Sequence, residues 1–131
     1  MLRNPSPLTA DVENIVSVAI DCGFMVHRAL GPGFRERIYE RAYGLELGAR
    51  GLRFESEKPI LVRYKDWEIP GQKVDLIVEG LVLVEIKTVP RLRPVHRAQV
   101  LSYLKTLRLR VGILMNFNVA VLKDGLQRVI L

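Results

Sequence analysis

The stretch from Lys73 to Lys87, KVDLIVEGLVLVEIK, constrains this chain more than any other. Two runs of Val, Ile and Leu flank Glu79-Gly80, and such runs form strand interiors. Asp75, Glu85 and Lys87 sit inside or at the edge of these runs. Charged groups in apolar strands are costly unless they are paired or bound to something. Glu85 and Lys87 are two apart, so on a strand they share a face. The turn decides where Asp75 lies. A strict two-residue turn at Glu79-Gly80 would pair Asp75 with Val84 and send Glu85 to the other face. A three-residue turn or bulge centred on Gly80 would pair Asp75 with Glu85. Gly80 suits the second case, because such loops need a residue at positive φ. Two carboxylates and a lysine then converge.

Convergent carboxylates form a hard oxygen site of the kind Mg²⁺ prefers. A nearby ammonium can orient water or stabilise charge developing on phosphorus. Without a ligand, two such carboxylates repel. The same spacing also fits a buried Asp–Lys or Glu–Lys ion pair with no catalytic duty.

A chain of 131 residues is expected to form one domain with a real core, here residues 1–131 with residues 1–8 as a flexible N-terminal arm. Its net charge of +6 favours a polyanionic partner, and nucleic acid is the commonest. A basic but inert surface is the bland alternative. The single cysteine, Cys22, excludes an internal disulfide and falls in an apolar helical pattern. With no long apolar run and no signal-like start, no membrane span is expected and the cytoplasm is the default.

Along the chain, Thr9 caps a helix expected over about 10–30, with Val12, Ile15, Val16, Ala19, Ile20, Gly23 and Val26 as its apolar stripe. His27, near its end, fits a cap, a core edge or contact with a site. Gly31-Pro32-Gly33 breaks it, and a second helix follows over about 34–50. Gly44 and Gly48 leave a smooth strip on that helix for a close neighbour. Glu36 and Tyr39 lie on its first turn, near one face. Strands are expected at Leu52–Ser56, Ile60–Tyr64 and Trp67–Ile69, with Trp67 as a core-edge or packing residue in preference to a base-stacking platform. Pro70-Gly71 is expected to end the last of these. After Lys87 comes a loop carrying Arg91 and Arg93, then a helix over His96–Leu107. Arg91, Arg93, His96 and Arg97 form a candidate phosphate-contacting surface, or else a solvated face. Val111–Asn116 reads as a buried strand, parallel to the Glu85 strand by the β-α-β order. Lys123-Asp124-Gly125 is a turn before a last strand, Leu126–Leu131. That strand could pair with a second copy at a sheet edge, making a homodimer.

No phosphate-binding GxxxxGK[ST] loop, zinc-ligand set or nucleophile elbow is present. The pattern Gly33-Phe34-Arg35-Glu36-Arg37-Ile38-Tyr39 matches G-x-x-E-x-x-Y. Together with His27 to Gly33, Asp75…Glu85-Ile86-Lys87, Pro94-Val95-His96, Gln99…Tyr103, Asn116-Phe117-Asn118 and Leu122–Gly125, it makes the chain resemble the GxxExxY proteins. These are small prokaryotic members of the PD-(D/E)XK nuclease superfamily. The match runs from about Val12 to the C-terminus. The segment before Asp75 lacks the proline of the superfamily's nominal motif.

The resemblance implies an α/β fold with a restriction-endonuclease-like three-layer core: a mixed β-sheet flanked by α-helices. It implies that Asp75 and Glu85 bind Mg²⁺ or Mn²⁺, with Glu36 as a further metal or water ligand. Lys87 would position or activate the attacking water, and Gln99 would orient the site or meet a phosphate. Tyr39 and Tyr103 would support the same mouth, with His27 as a further supporting candidate. The expected activity is metal-dependent hydrolysis of nucleic acid, DNA before RNA. The alternative is a catalytically silent nucleic-acid-binding module on the same scaffold.

Overall fold

The computed structural model describes residues 6–131. Three helices and five strands follow in the order α1 (Ala10–Leu30), α2 (Glu36–Ala49), β1 (Phe54–Tyr64), β2 (Trp67–Val78), β3 (Val82–Lys87), α3 (Pro94–Leu107), β4 (Val111–Asn116) and β5 (Leu126–Ile130). A short 3₁₀ turn at Leu122–Gly125 joins β4 to β5. The sheet is mixed, in the order β1-β2-β3-β4-β5. Only β3 and β4 are parallel, joined through α3 as the chain order requires.

Helices cover both faces. Val16, Ala19, Cys22 and Val26 of α1, with Tyr39, Tyr43 and Leu47 of α2, pack on Val82, Val84 and Ile86 of β3 and Val111, Ile113 and Met115 of β4. On the other face Val100, Tyr103 and Leu104 of α3 pack on Leu83 and Leu114. β3 and β4 are therefore buried on both sides, which is why they read as unbroken apolar runs. The three-layer α/β arrangement that the resemblance implies is present.

The boundaries hold two corrections. β1 and β2 are single long strands, not short segments delimited by Lys58-Pro59 and Pro70-Gly71. Both prolines are absorbed within the hairpin. Pro59 pairs with Lys73 on the edge strand, and the register shifts between Ile60 and Val62, opposite Pro70-Gly71. The hairpin tip extends past the helices, so Trp67 is 70% exposed and does not pack in the core. Of the segment expected as an N-terminal arm, residues 1–5 lie outside the described residues. Leu8 packs into the α1–α2 core, and the Ser6 hydroxyl donates to Glu13 (2.6 Å).

Thr9 caps α1 by accepting from the Val12 amide. Of the two glycines in α2, Gly44 takes a neighbour, the Phe54 ring, whereas Gly48 has nothing within 4 Å of where a Cβ would stand. At Gly125 a Cβ would lie 2.3 Å from the Asn116 carbonyl oxygen. Gly125→Ala is therefore expected to destabilise the fold by about 1–3 kcal/mol, the scale of overpacking. Gly48→Ala should instead stabilise it by about 0.4–1 kcal/mol. Urea denaturation of both variants checks the pair of signs.

Candidate active site

The β2–β3 hairpin turns on Glu79-Gly80-Leu81. Glu79 and Gly80 both have positive φ (52° and 66°), and Val78 pairs with Val82. This is the three-residue arrangement centred on Gly80. Backbone pairing runs up to Leu76↔Val84 and stops. Beyond it, side chains replace main-chain acceptors. Glu85 Oε1 accepts from the Asp75 amide (3.0 Å), and Asp75 Oδ2 accepts from the Ile86 amide (2.9 Å). The two carboxylates thus lie side by side where the strands part.

Strand alternation also breaks here. Val74 and Ile77 face α3, while Leu76 and Val78 face α1 and α2. Residues three apart share a face only if the strand twists between them, and Asp75 sits at that twist. It reaches residues on both sides of the sheet.

On the α3 side, Glu85 is buried and Lys87 half-buried. Lys87 Nζ donates to Gln99 Oε1 (2.8 Å), and Gln72 Nε2 donates to the Tyr103 hydroxyl (2.6 Å). Gln99 and Tyr103, one turn apart on α3, face the same opening. Burial raises the Tyr103 pKa, and the Glu85 charge adds to it.

On the α2 side stand three more carboxylates, Glu36, Glu40 and Glu57. Carboxylate oxygens of Glu40, Glu57 and Asp75 lie within 4.8 Å of one another. Glu57 occupies the β1 position between Ser56↔Leu76 and Lys58↔Val74, opposite Asp75, with φ at 51°. A non-glycine residue there is uncommon, and such conformations gather at functional sites. Lys73 Nζ lies 3.0 Å from Glu57. Burial, then the charges of Asp75 and Glu57, push Glu40 up to about 7. Glu36 is raised by burial and by the Asp75 charge, partly offset by Lys87. Burial raises Asp75, and burial with the Asp75 charge pushes Glu85 up to about 8.

The expected site residues divide. Asp75, Glu85, Lys87 and Gln99 come together, with Tyr103 beside them and Glu36 within their electrostatic reach. Tyr39 does not line the mouth. It is buried, stacked on Phe117 with ring centres 4.7 Å apart. Its hydroxyl donates to Gly31 O (2.5 Å) and accepts from the Phe34 amide (3.1 Å). Tyr39 thereby fixes the entry to α2 on which Glu36 sits. His27 is likewise away from the site: its Nε2 bonds the Val119 carbonyl (2.8 Å), latching α1 to the segment after β4. Arg91, Arg93 and Arg97 are exposed and His96 is half-buried, on the loop and first turn that follow Lys87. His96 Nδ1 accepts from the Arg93 amide (2.8 Å) and so caps α3. Asn116, fully buried, clamps this loop by bonding both Val89 N (3.1 Å) and Val89 O (2.9 Å).

A family model described as the PD-(D/E)XK nuclease superfamily matches residues 13–129. The chain belongs to the PD-(D/E)XK nuclease superfamily. No curated protein and no solved structure matches it significantly. Superfamily members generally use divalent metal ions on nucleic-acid substrates. The oxygens gathered here fit such an ion: they are hard donors, mutually repelling and partly dehydrated, and a cation between them would relieve both costs. Among the described residues no helix is long and apolar enough to cross a membrane.

Glu40 and Glu57 are the members of this cluster that the sequence reading missed. Glu40 left a signal, since it lies one turn after Glu36, and two carboxylates at that spacing repel on a helix. Glu57 left none, because only the β1–β2 register puts it against Asp75.

The raised carboxyls carry a sign for stability. Their folded-state values lie above the ordinary 4.5, so the metal-free fold is favoured at low pH and loses stability as pH rises towards about 8. In EDTA, the urea midpoint should fall between about pH 5 and about pH 8. Glu85→Gln should flatten that fall, and Mg²⁺ added at the higher pH should reverse it in the parent protein. A midpoint indifferent to both pH and Mg²⁺ would contradict the electrostatic account.

Proposed function

We propose that this protein is a metal-dependent phosphodiesterase that cleaves DNA, in the GxxExxY branch of the superfamily, with Mg²⁺ or Mn²⁺ as its cofactor and the cytoplasm as its place of action. The observation that carries the reading is the side-by-side holding of Asp75 and Glu85 by each other's strand, with Lys87 on the face of Glu85. This juxtaposition costs free energy through burial and repulsion, and a purely structural core has no use for it.

Asp75 is the central ligand, because it alone reaches both Glu85 and the Glu40–Glu57 pair. Glu85 adds a second oxygen from the α3 side, and Glu36 and Glu40 close the α2 side. A metal held there supplies Lewis acidity to a phosphoryl oxygen and acidity to a bound water. Lys87 delivers a positive charge next to the carboxylates, suited to orienting water and to stabilising negative charge on phosphorus. Gln99 holds the ammonium through its side-chain oxygen, and its amide nitrogen faces the Tyr103 hydroxyl at the same mouth, where a phosphate could accept from it. Tyr103, held by Gln72, presents a hydroxyl at the same mouth. Arg91, Arg93, His96 and Arg97 supply backbone contacts beside the scissile position.

Asp75→Ala, Glu85→Ala and Lys87→Ala should each reduce Mg²⁺-dependent cleavage of oligonucleotides by at least about 100-fold. Circular dichroism should show the folded spectrum retained. Wild-type cleavage by folded Glu85→Ala would reject the reading. Absence of cleavage in the parent protein with either ion, alongside salt-sensitive binding, would support a silent binding module instead.

A further inference from the structure

A groove of about 840 Å³ runs between α2 and β1, outside the Lys87–Gln99 side of the site. Glu40 and Glu57 are among its lining residues, so the groove adjoins the carboxylate cluster. Its floor is apolar: Ile38 and Leu45 on α2, 45% and 66% exposed, and Phe54 at the start of β1. The Phe54 ring lies against α2 because residue 44 is glycine. A Cβ at 44 would stand 3.1 Å from the ring. Arg35, Arg37 and Arg41 border the floor. None of the three forms an ion pair among the described residues, whereas Arg50, Arg53 and Arg128 each meet a carboxylate.

An apolar floor edged by unpaired guanidinium groups matches one kind of occupant. Phosphates need the guanidiniums, and a base face needs the floor. A base in an intact duplex is stacked and paired and cannot lie on such a surface; an unpaired base can. The volume falls within the range of pockets that take nucleotide-sized ligands. The second basic group, Arg91, Arg93, His96 and Arg97, lies on the loop and first turn that follow Lys87 at the end of β3. A strand that crosses the cluster could therefore meet positive charge on both sides of the scissile phosphate.

We infer that the α2–β1 groove receives an unpaired segment of the substrate strand, with bases on Phe54 and Ile38 and phosphates on Arg35, Arg37 and Arg41. The substrate class is then single-stranded nucleic acid, or a flap or frayed end, in preference to closed duplex. This rests on the phosphodiesterase reading above and specifies its substrate.

The test measures binding and cleavage separately. Binding is read by fluorescence anisotropy in the Lys87→Ala background with Mg²⁺, on a labelled single strand and on a closed hairpin duplex containing the same sequence. The single strand should bind more tightly. Adding Phe54→Ala should weaken it about 5- to 100-fold, the scale of losing one stacked base, and leave hairpin binding unchanged. Arg37→Ala with Arg41→Ala should reduce the salt slope for the single strand by about 1 to 1.5, as expected for two lost phosphate contacts. Because Ile38 is well exposed, Ile38→Glu serves as a second variant that cannot act through core unfolding and should also weaken single-strand binding. Equal affinity for the two oligonucleotides, unmoved by Phe54→Ala and Ile38→Glu, would overturn the inference. So would a dimer, seen by light scattering, that Leu45→Glu dissolves, since the groove would then be an interface between copies. Binding that depends on Phe54 without cleavage by the parent protein would uphold the groove and refute the nuclease reading. Cleavage of duplex and single strand alike, indifferent to Phe54→Ala, would do the reverse.

Discussion

The molecule turns on a gap in its own sheet. Where β2 and β3 part, each strand's amide is satisfied by the other strand's carboxylate: Glu85 takes Asp75 N–H, and Asp75 takes Ile86 N–H. Buried main-chain donors must find acceptors, and here the ladder is completed by side chains. The exchange holds two acidic groups in contact, and among the described residues neither has an ion-pair partner. Everything else at the site is arranged around that constraint. α3 brings Gln99 to Lys87 on one face, while α2 and β1 bring Glu40 and Glu57 to Asp75 on the other.

The scaffold explains how such a costly cluster is tolerated. β3 and β4 are sealed by helices on both faces, so the sheet centre is rigid. The carboxylates sit where the β2–β3 pairing ends, with Glu85 still buried on β3. Residues that look functional by position serve as braces. Tyr39 ties the α1–α2 turn, His27 ties α1 to the segment after β4, and Asn116 ties the loop that follows Lys87. Each places a hydrogen bond from a buried side chain onto main chain outside its own element, which fixes the ends of neighbouring elements. The same turn that Tyr39 ties positions Glu36 and, at the cap and first turns of α2, Arg35, Arg37 and Arg41.

Much of this could be read in advance. The helices α1 and α3, the parallel β3–β4 pair and the turn at Gly80 follow from apolar period, β-α-β order and the need for positive φ. Asp75, Glu85 and Lys87 stood out because charge inside an apolar strand requires a reason. The long β1–β2 hairpin was not legible, since prolines that ordinarily end strands were absorbed at an edge and opposite a register shift. Trp67 could not be placed for the same reason: its exposure depends on how far the hairpin projects beyond the helices.

The sequence by itself determined the local elements and singled out Asp75, Glu85 and Lys87, because periodicity, turn chemistry and misplaced charge act over a few residues. Only the tertiary structure decided which acids join them. Glu57 meets Asp75 through a strand register set across the hairpin, and Glu40 through the docking of α2 on the sheet. Contacts of that kind depend on how separate elements pack, and no window of the chain contains both partners.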